Sequence, residues 1–293
     1  MVVASTGFFD GIHIGHQAVI RTLLDYARKS DGQSFVVSFW PHPRVVLQKD
    51  AKDLRLLSSV EEKKSDLLSM GVDRVEILPF NLEFASMDAE SYLNYLKDRF
   101  SVEAIVLGYD NRFGSEQLTT MELVQLAQRN GILVKVVPPL DLGGLKVSST
   151  CIRQALGRGE VEFASKMLGR SYRLKGVVVS GKQIGRTIGY PTANLRLCDP
   201  LKCVPSVGVY LSRVWLEGES FWGMTNVDRS GLVETHLFNF ERDIYGMELE
   251  VSFELRIRDE IKFSSFDELK KQLKIDELSA KKLIFAEYDH EKE

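Results

Sequence analysis

Apolar residues in the first half of the chain fall into short blocks. Residues 2–5, 35–39, 74–78, 104–107 and 132–137 are brief runs rich in Val, Ile and Phe. Runs of that length and composition predict strands buried on both faces. Between them the pattern turns helical. Residues 18–28 group Ala18, Val19, Leu23, Tyr26 and Ala27 near one face, and residues 89–100 do the same with Tyr92, Leu93, Tyr95 and Leu96. Ser58 with Glu61, and Thr119 with Glu122, stand at capping-box spacing and predict two further helix starts. Strand–helix alternation predicts a parallel sheet with right-handed crossovers and helices on both faces. Ligands of such sheets bind beyond the carboxyl ends of the strands, where the strand order switches.

From about Tyr172 the texture changes. Residues 174–179, 207–215, 221–226, 234–240 and 247–257 are strand-like, with Gly- and Asp-rich turns and little helical period between them. This spacing predicts an antiparallel barrel. In residues 248–258, Leu249, Val251, Phe253, Leu255 and Ile257 share one face, and a helical tail follows with Ser265 as N-cap and Glu268 at capping-box spacing. The expected class is therefore α/β followed by all-β, with one domain over 1–168 and a second over 169–293, divided in the short helical segment around residues 159–170.

Length agrees: 293 residues imply two domains at about 150 each. A formal charge of −3, from 38 Lys+Arg and 41 Asp+Glu, lacks the basic excess of a general nucleic-acid binder. Three cysteines imply no disulfide framework and a reducing compartment, and Cys198 and Cys203 have no neighbours to complete a zinc set. No signal peptide or membrane-spanning run is evident, so the expected location is the cytoplasm, with no nucleic-acid or membrane partner. Oligomeric state is not legible.

Candidate chemistry concentrates where the predicted strands end. Three of the five histidines, His13, His16 and His42, lie within the first 42 residues. The run Gly7-Phe8-Phe9-Asp10-Gly11-Ile12-His13-Ile14-Gly15-His16 leads from the first strand into the first helix. Its glycines permit close backbone approach, and the helix start offers free N–H groups and a positive dipole end. Two imidazoles three residues apart there suit the charge that builds on a phosphorus undergoing substitution. Ser148-Ser149-Thr150-Cys151-Ile152-Arg153 opens a later helix, where hydroxyls and a guanidinium suit phosphate oxygens. Loops with Pro41-His42-Pro43-Arg44 and with Gly108-Tyr109-Asp110-Asn111-Arg112-Phe113-Gly114 add polar and aromatic groups on the same side.

In the second half, Gly176-Val177-Val178-Val179-Ser180-Gly181-Lys182-Gln183 is one residue from a P-loop, but Gln replaces the Mg²⁺-binding hydroxyl and a strand fills its middle. More informative is Gly185-Arg186-Thr187-Ile188-Gly189-Tyr190-Pro191-Thr192-Ala193-Asn194-Leu195. Thr192 and Asn194 supply a hydroxyl and an amide oxygen suited to a hard cation that keeps several waters, and Lys182 and Arg186 suit phosphates. Phosphorylating a primary alcohol needs one positioned carboxylate to accept the hydroxyl proton, and Glu234, at the start of a predicted strand, is the candidate, although an exposed strand glutamate is more often structural.

The His-x-Gly-His run with the later Ser/Thr-rich signature resembles the nucleotidylyltransferase superfamily. The series 7–16, 41–44, 108–114, 148–153, 168–172, 185–195, 205–210, 234–246 and 257–266 resembles, over essentially the whole chain, the prokaryotic bifunctional riboflavin kinase/FAD synthetase family. That resemblance implies a Rossmann-like FMN adenylyltransferase domain followed by a six-stranded riboflavin kinase barrel, with ATP, riboflavin, FMN and FAD as substrates and products and Mg²⁺ as metal. It implies that His13 and His16 stabilise the adenylyl transition state. Gly7, Gly15, Ser149, Thr150 and Arg153 would hold the triphosphate, and His42 with Asp110, Asn111, Arg112 and Phe113 would meet flavin and nucleotide. In the kinase, Thr192 and Asn194 would position Mg²⁺–ATP, Lys182 and Arg186 its phosphates, and Glu234 would be the base. The chain departs from the family at Trp40, at Cys151, and at residues 226–232, a shorter loop than usual near the kinase substrates. The alternative reading is an FMN adenylyltransferase whose kinase is impaired by that loop; a non-catalytic flavin- or RNA-binding protein is a third.

Overall fold

In a computed structural model, described here for residues 1–48, 51, 53–109, 111, 114–116, 118–181 and 183–287, the elements run in the following order. First come β1 (Val2–Thr6), α1 (Ile14–Lys29), β2 (Gln33–Trp40), α2 (Pro43–Leu47), α3 (Val60–Ser69), β3 (Arg74–Pro79), α4 (Leu82–Ala85) and α5 (Ala89–Phe100). Then follow β4 (Val102–Gly108), α6 (Thr120–Arg129), β5 (Leu133–Val137), β6 (Asp141–Leu142), β7 (Leu145–Lys146), α7 (Ser149–Arg158) and α8 (Val161–Leu168). The remainder is β8 (Tyr172–Val179), α9 (Ile184–Thr187), β9 (Ala193–Leu197), β10 (Gly208–Leu216), β11 (Glu219–Val227), β12 (Val233–Leu237), β13 (Glu248–Arg258) and α10 (Phe266–Glu287). Contacts divide the chain into two compact units, Met1–Ser149 and Thr150–Glu293. By that division most of α7 and all of α8 go with the second unit, ahead of the boundary expected at 168.

The first unit is a five-stranded sheet in the order β3-β2-β1-β4-β5, parallel throughout. Period-two alternation divides its core. Val3, Val36, Ala104 and Val106 face Ile20 and Leu23 of α1 and Leu67 of α3, while Ala4, Phe35, Val37, Ile105 and Leu107 face Leu93 and Leu96 of α5 and Leu123 of α6. Because both faces are covered, the strands read as continuous apolar runs. The order reverses between β1 and β4, which opens a crevice at their carboxyl ends.

The second unit closes β10-β11-β12-β9-β8-β13 into a barrel with antiparallel pairing. β9 lies where the sequence reads as a polar loop: Asn194 and Arg196 interrupt the apolar pattern, and pairing with β8 and β12 overrides it. β12 ends at Leu237, three residues short of expectation, and Asn239 then turns the chain with φ 54°. The capping box of α3 is Ser59 with Glu62, one residue beyond the expected Ser58 and Glu61. Ser58 is committed elsewhere, its hydroxyl accepting from the Gly11 amide at 3.0 Å. Thr119 and Glu122 cap α6 as expected.

Helix α10 packs Ala280, Leu283 and Ile284 against Val209, Leu211, Leu255 and Ile257 on the barrel wall. Beside that contact the Arg258 guanidinium grips Asp276, Nε at 2.9 Å from both oxygens and Nη2 at 2.7 Å from Oδ2. Asp276 is 1% exposed, so losing one partner strands a buried charge. Asp276→Ala is expected to lower the stability of the barrel unit by about 3 kcal/mol, seen as a lower midpoint in thermal or denaturant unfolding.

Candidate active sites

Between β1 and α1 the backbone leaves ordinary conformational space. Phe9 (φ 53°) and Ile12 (φ 43°) both occupy the left-handed region, with Gly11 (φ 77°) between them. For a β-branched residue this costs of order 1–3 kcal/mol and persists only where the surroundings over-determine it. They do so here. Asp10, 4% exposed, accepts at Oδ1 from the Leu57 and Ser58 amides at 2.8 and 3.2 Å. Its carbonyl accepts the Ser149 hydroxyl at 3.0 Å, which ties the start of α7 to the loop.

This held loop delivers two imidazoles to the start of α1. His13 is the N-cap, its Nδ1 accepting from the His16 amide at 3.3 Å, and the two rings stack with centroids 3.6 Å apart and 17° between planes. A Cβ at position 15 would lie 3.1 Å from the His13 ring, so Gly15 leaves room for the stack. Gly7 fills the same need beside the Phe9 ring, at 3.3 Å. His16 Nδ1 is buried with no hydrogen-bond partner among the described residues. Burial first, then His13 and Lys63, hold His16 well below 6.5. Protonating the ring would bury a second charged N–H with nothing to receive it, so the imidazole is neutral near pH 7.

Lys63 is the residue that sequence reasoning missed. It sits on α3 and is 1% exposed. Its Nζ donates to Phe8 O at 2.7 Å and Ser38 Oγ at 3.1 Å, and lies 3.7 Å from the Phe8 ring centroid. Burial pushes its ammonium down to about 8, against the opposing pull of Asp10. In sequence it is one of two adjacent lysines on an amphipathic helix, and only its period, four residues before buried Leu67, marks it as inward-facing.

Of the other expected groups, Asn111 and His42 lie beside the loop and strand that lead to His13. Asn111 Nδ2 donates to Thr6 O at 2.6 Å, joining the loop after β4 to the end of β1. The His42 ring meets the Phe8 ring at 4.2 Å, and its Nδ1 accepts from the Arg44 amide at the start of α2. Thr150 and Arg153 follow Ser149 on α7 and are counted with the second unit, where Arg153 Nη2 donates to Thr150 Oγ1 at 3.3 Å. Asp110, Arg112, Phe113 and Lys182 lie outside the described residues.

In the barrel, register brings three polar side chains into one row. Glu234 on β12 pairs with Asn226 on β11 and with Asn194 on β9. Asn194 is buried and Glu234 half-buried. A Cβ at position 181 would collide with the Asn194 amide, so Gly181 gives that side chain its place. Thr192 and Arg186 line a cavity of about 350 Å³ together with Gln183, Phe240 and Tyr245. The loop after β11 closes as a tight hairpin: Asp228 Oδ1 accepts from the Ser230 amide and hydroxyl at 2.8 and 2.6 Å and from the Leu232 amide at 3.0 Å. Asn226 therefore keeps its register opposite Glu234, and nothing in this loop disturbs the row.

A dinucleotide-type crevice with an imidazole pair, followed by a closed barrel bearing a hydroxyl, an amide and a carboxylate, defines a two-unit enzyme that handles nucleotide phosphates. The family profile described as FAD synthetase matches residues 1–151, and the one described as riboflavin kinase matches residues 168–284. The bifunctional riboflavin kinase/FMN adenylyltransferase of Listeria monocytogenes is 34% identical over 283 residues, covering 94% of this chain and 90% of the relative. That of Bacillus subtilis is 32% identical over 288 residues, covering 95% and 91%. A solved structure titled macrolide-efflux protein from Streptococcus pneumoniae has a TM-score of 0.88 at 37% identity, covering 96% of this chain and 93% of that one. Among the described residues, no helix is long and apolar enough to cross a membrane. The chain belongs to the bifunctional riboflavin kinase/FMN adenylyltransferase family and carries both of its domains.

Two pH effects follow from the buried groups. As pH falls through 6.5, the unfolded chain protonates its position-16 imidazole while the folded one does not, so stability drops; His16→Gln is expected to lessen that drop between pH 7.5 and 5.5 in denaturant unfolding. Between about 8 and 10.5 the unfolded chain holds the Lys63 proton more firmly than the folded one, so this group makes stability rise with pH. Lys63→Met is expected to remove that rise.

Proposed function

We propose that residues 1–168 transfer the adenylyl group of ATP to FMN and that residues 169–293 phosphorylate riboflavin to FMN, one chain making FAD in two ATP-using steps. The observation that carries the first assignment is the stacked imidazole pair at the amino end of α1, His13 buried and His16 half-buried, set at the crevice between β1 and β4. In adenylyl transfer, an FMN phosphate oxygen bonds to the α-phosphorus as the bond to the bridging oxygen breaks, and pyrophosphate leaves. No covalent intermediate with the protein is required. What the step needs is fixed donors for the negative charge that shifts across the phosphorus. His13, neutral His16 and the first amides of α1 supply them without reorganising. Gly7 and Gly15 admit the triphosphate, Ser149, Thr150 and Arg153 hold it, and His42 and Asn111 border the flavin and nucleotide ends.

The kinase step is supported by the Asn226–Glu234–Asn194 row. Glu234 accepts the proton of the riboflavin 5′-hydroxyl as that oxygen bonds to the γ-phosphorus and ADP departs. Asn226 and Asn194 flank it in register on the neighbouring strands. Thr192 and Asn194 fit Mg²⁺ as neutral, hard oxygen donors, with space kept for the Asn194 amide by Gly181. The metal would supply charge neutralisation on the nucleotide phosphates, and Arg186, on the cavity wall, would add to it. ATP binds at both sites, and no membrane or nucleic-acid partner is invoked. The reading places the protein in the cytoplasm.

Riboflavin with Mg²⁺–ATP, followed over time by chromatography, is expected to yield FMN first and FAD after it. Glu234→Ala is expected to cut FMN formation by about a hundredfold or more while leaving FAD formation from supplied FMN intact. His16→Ala is expected to do the reverse. Undiminished FMN formation by the Glu234 variant would refute the base assignment. FAD from FMN, with nothing from riboflavin in the unaltered chain, would mean that the kinase is silent.

A further inference from the structure

The residues around the Thr192–Asn194 segment form a connected set that the two reactions do not use. Tyr190, two positions before Thr192, turns its ring into the contact between barrel and α10, beside Ala280, Leu283 and Ile284. Its hydroxyl donates to Glu277 Oε2 at 2.9 Å, and Lys281 Nζ holds the other oxygen of that carboxylate at 2.6 Å. The next residue is gripped from the barrel side. His236 Nδ1 lies 2.8 Å from Pro191 O. Because a carbonyl only accepts, Nδ1 carries the proton, and the His236 tautomer is set. His236 sits two residues beyond Glu234 on the same face of β12. Its ring also meets Tyr190 edge-on, with centroids 5.1 Å apart. From a third side the Tyr190 amide donates to Gly185 O at 2.8 Å, and a Cβ at 185 would run into Tyr190 O.

We propose that Tyr190, His236 and Glu277 are positioning residues of the kinase site, a brace through which α10 and β12 fix the backbone that presents Thr192 and Asn194. This rests on the reading that those two residues hold Mg²⁺–ATP. The physical argument is one of length. Thr192 lies on a segment that is not yet strand, and β9 begins only at Ala193. Without ladder bonds, its backbone is placed by what holds 190 and 191. A hydroxyl donating to a carboxylate and a histidine donating to a carbonyl are both directional, and each acts within two residues of Thr192.

The test uses the full chain, with adenylyl transfer to supplied FMN as the internal control. Tyr190→Phe keeps the ring and removes only the hydroxyl. Glu277→Ala removes its acceptor, and Glu277→Gln restores an acceptor without the charge. Loss of one hydrogen bond to a charged group corresponds to about a tenfold effect. Tyr190→Phe and Glu277→Ala are expected to raise the kinase KM for Mg²⁺–ATP about that much, with kcat little changed and FAD formation from FMN unchanged. Glu277→Gln is expected to recover most of the loss. A merely structural role would lower the melting temperature without moving KM; that result, or equal losses in both activities, overturns the proposal. Asn194→Ala is assayed alongside. If it too leaves the Mg²⁺–ATP dependence unchanged, the underlying site assignment has failed and the brace falls with it. If Asn194→Ala raises KM and the brace variants do not, the brace alone is wrong.

Discussion

Two buried charges at the carboxyl end of the parallel sheet govern the first site. Asp10 and Lys63 are 4% and 1% exposed, and neither is stable in an apolar interior unless its hydrogen-bonding capacity is met. The groups that meet it come from distant segments: amides at 57 and 58 for Asp10, and the Phe8 carbonyl and Ser38 hydroxyl for Lys63. Both therefore fasten the loop after β1 to neighbouring elements, and the loop accepts left-handed Phe9 and Ile12 as the cost of that fastening. The His13–His16 stack inherits its place from this arrangement. Strain, burial and the neutral state of His16 are parts of one device.

The barrel solves a different problem by a different means. A kinase needs a carboxylate within reach of a hydroxyl and oxygen donors nearby, all at fixed separations. Antiparallel pairing supplies such separations directly, because cross-strand neighbours stand about 5 Å apart. Asn226, Glu234 and Asn194 are neighbours of this kind on three adjacent strands. No long-range loop has to be trapped, and the backbone around Glu234 lies within regular pairing. The exception is the segment just before β9, where ladder bonds have not begun and side chains from β12 and α10 take over.

Each unit has its own hydrophobic core. The chemistry joins them: the phosphorylated flavin leaving one site is the nucleophile at the other. Both reactions depend on positioning and charge neutralisation more than on covalent catalysis, which is why a chain with a net charge of −3 manages phosphate ligands. The cationic and N–H groups are few and local, set in loops and at a helix start.

Much of this was legible along the chain. Short continuous apolar runs found the five parallel strands, and strand-like runs between turn residues found most of the barrel strands, since burial on one or two faces writes directly into the order of apolar residues. Glycine spacing and the clustering of His, Ser and Thr at strand ends pointed to the two candidate sites. What was not legible depends on contacts between residues far apart in sequence. β9 is a strand because its neighbours complete its ladder, although its own residues read as a polar loop. Ser58 is not a helix cap because Gly11 claims its hydroxyl. Lys63 reads as a solvated lysine until Phe8 and Ser38 are brought to it, and Glu277 as a surface acid until α10 docks against Tyr190. Local order and residue type determined the elements and the kind of chemistry. Only the tertiary structure decided which polar groups were buried, paired and thereby put in charge of position, because burial is a property of neighbours that the sequence does not place side by side.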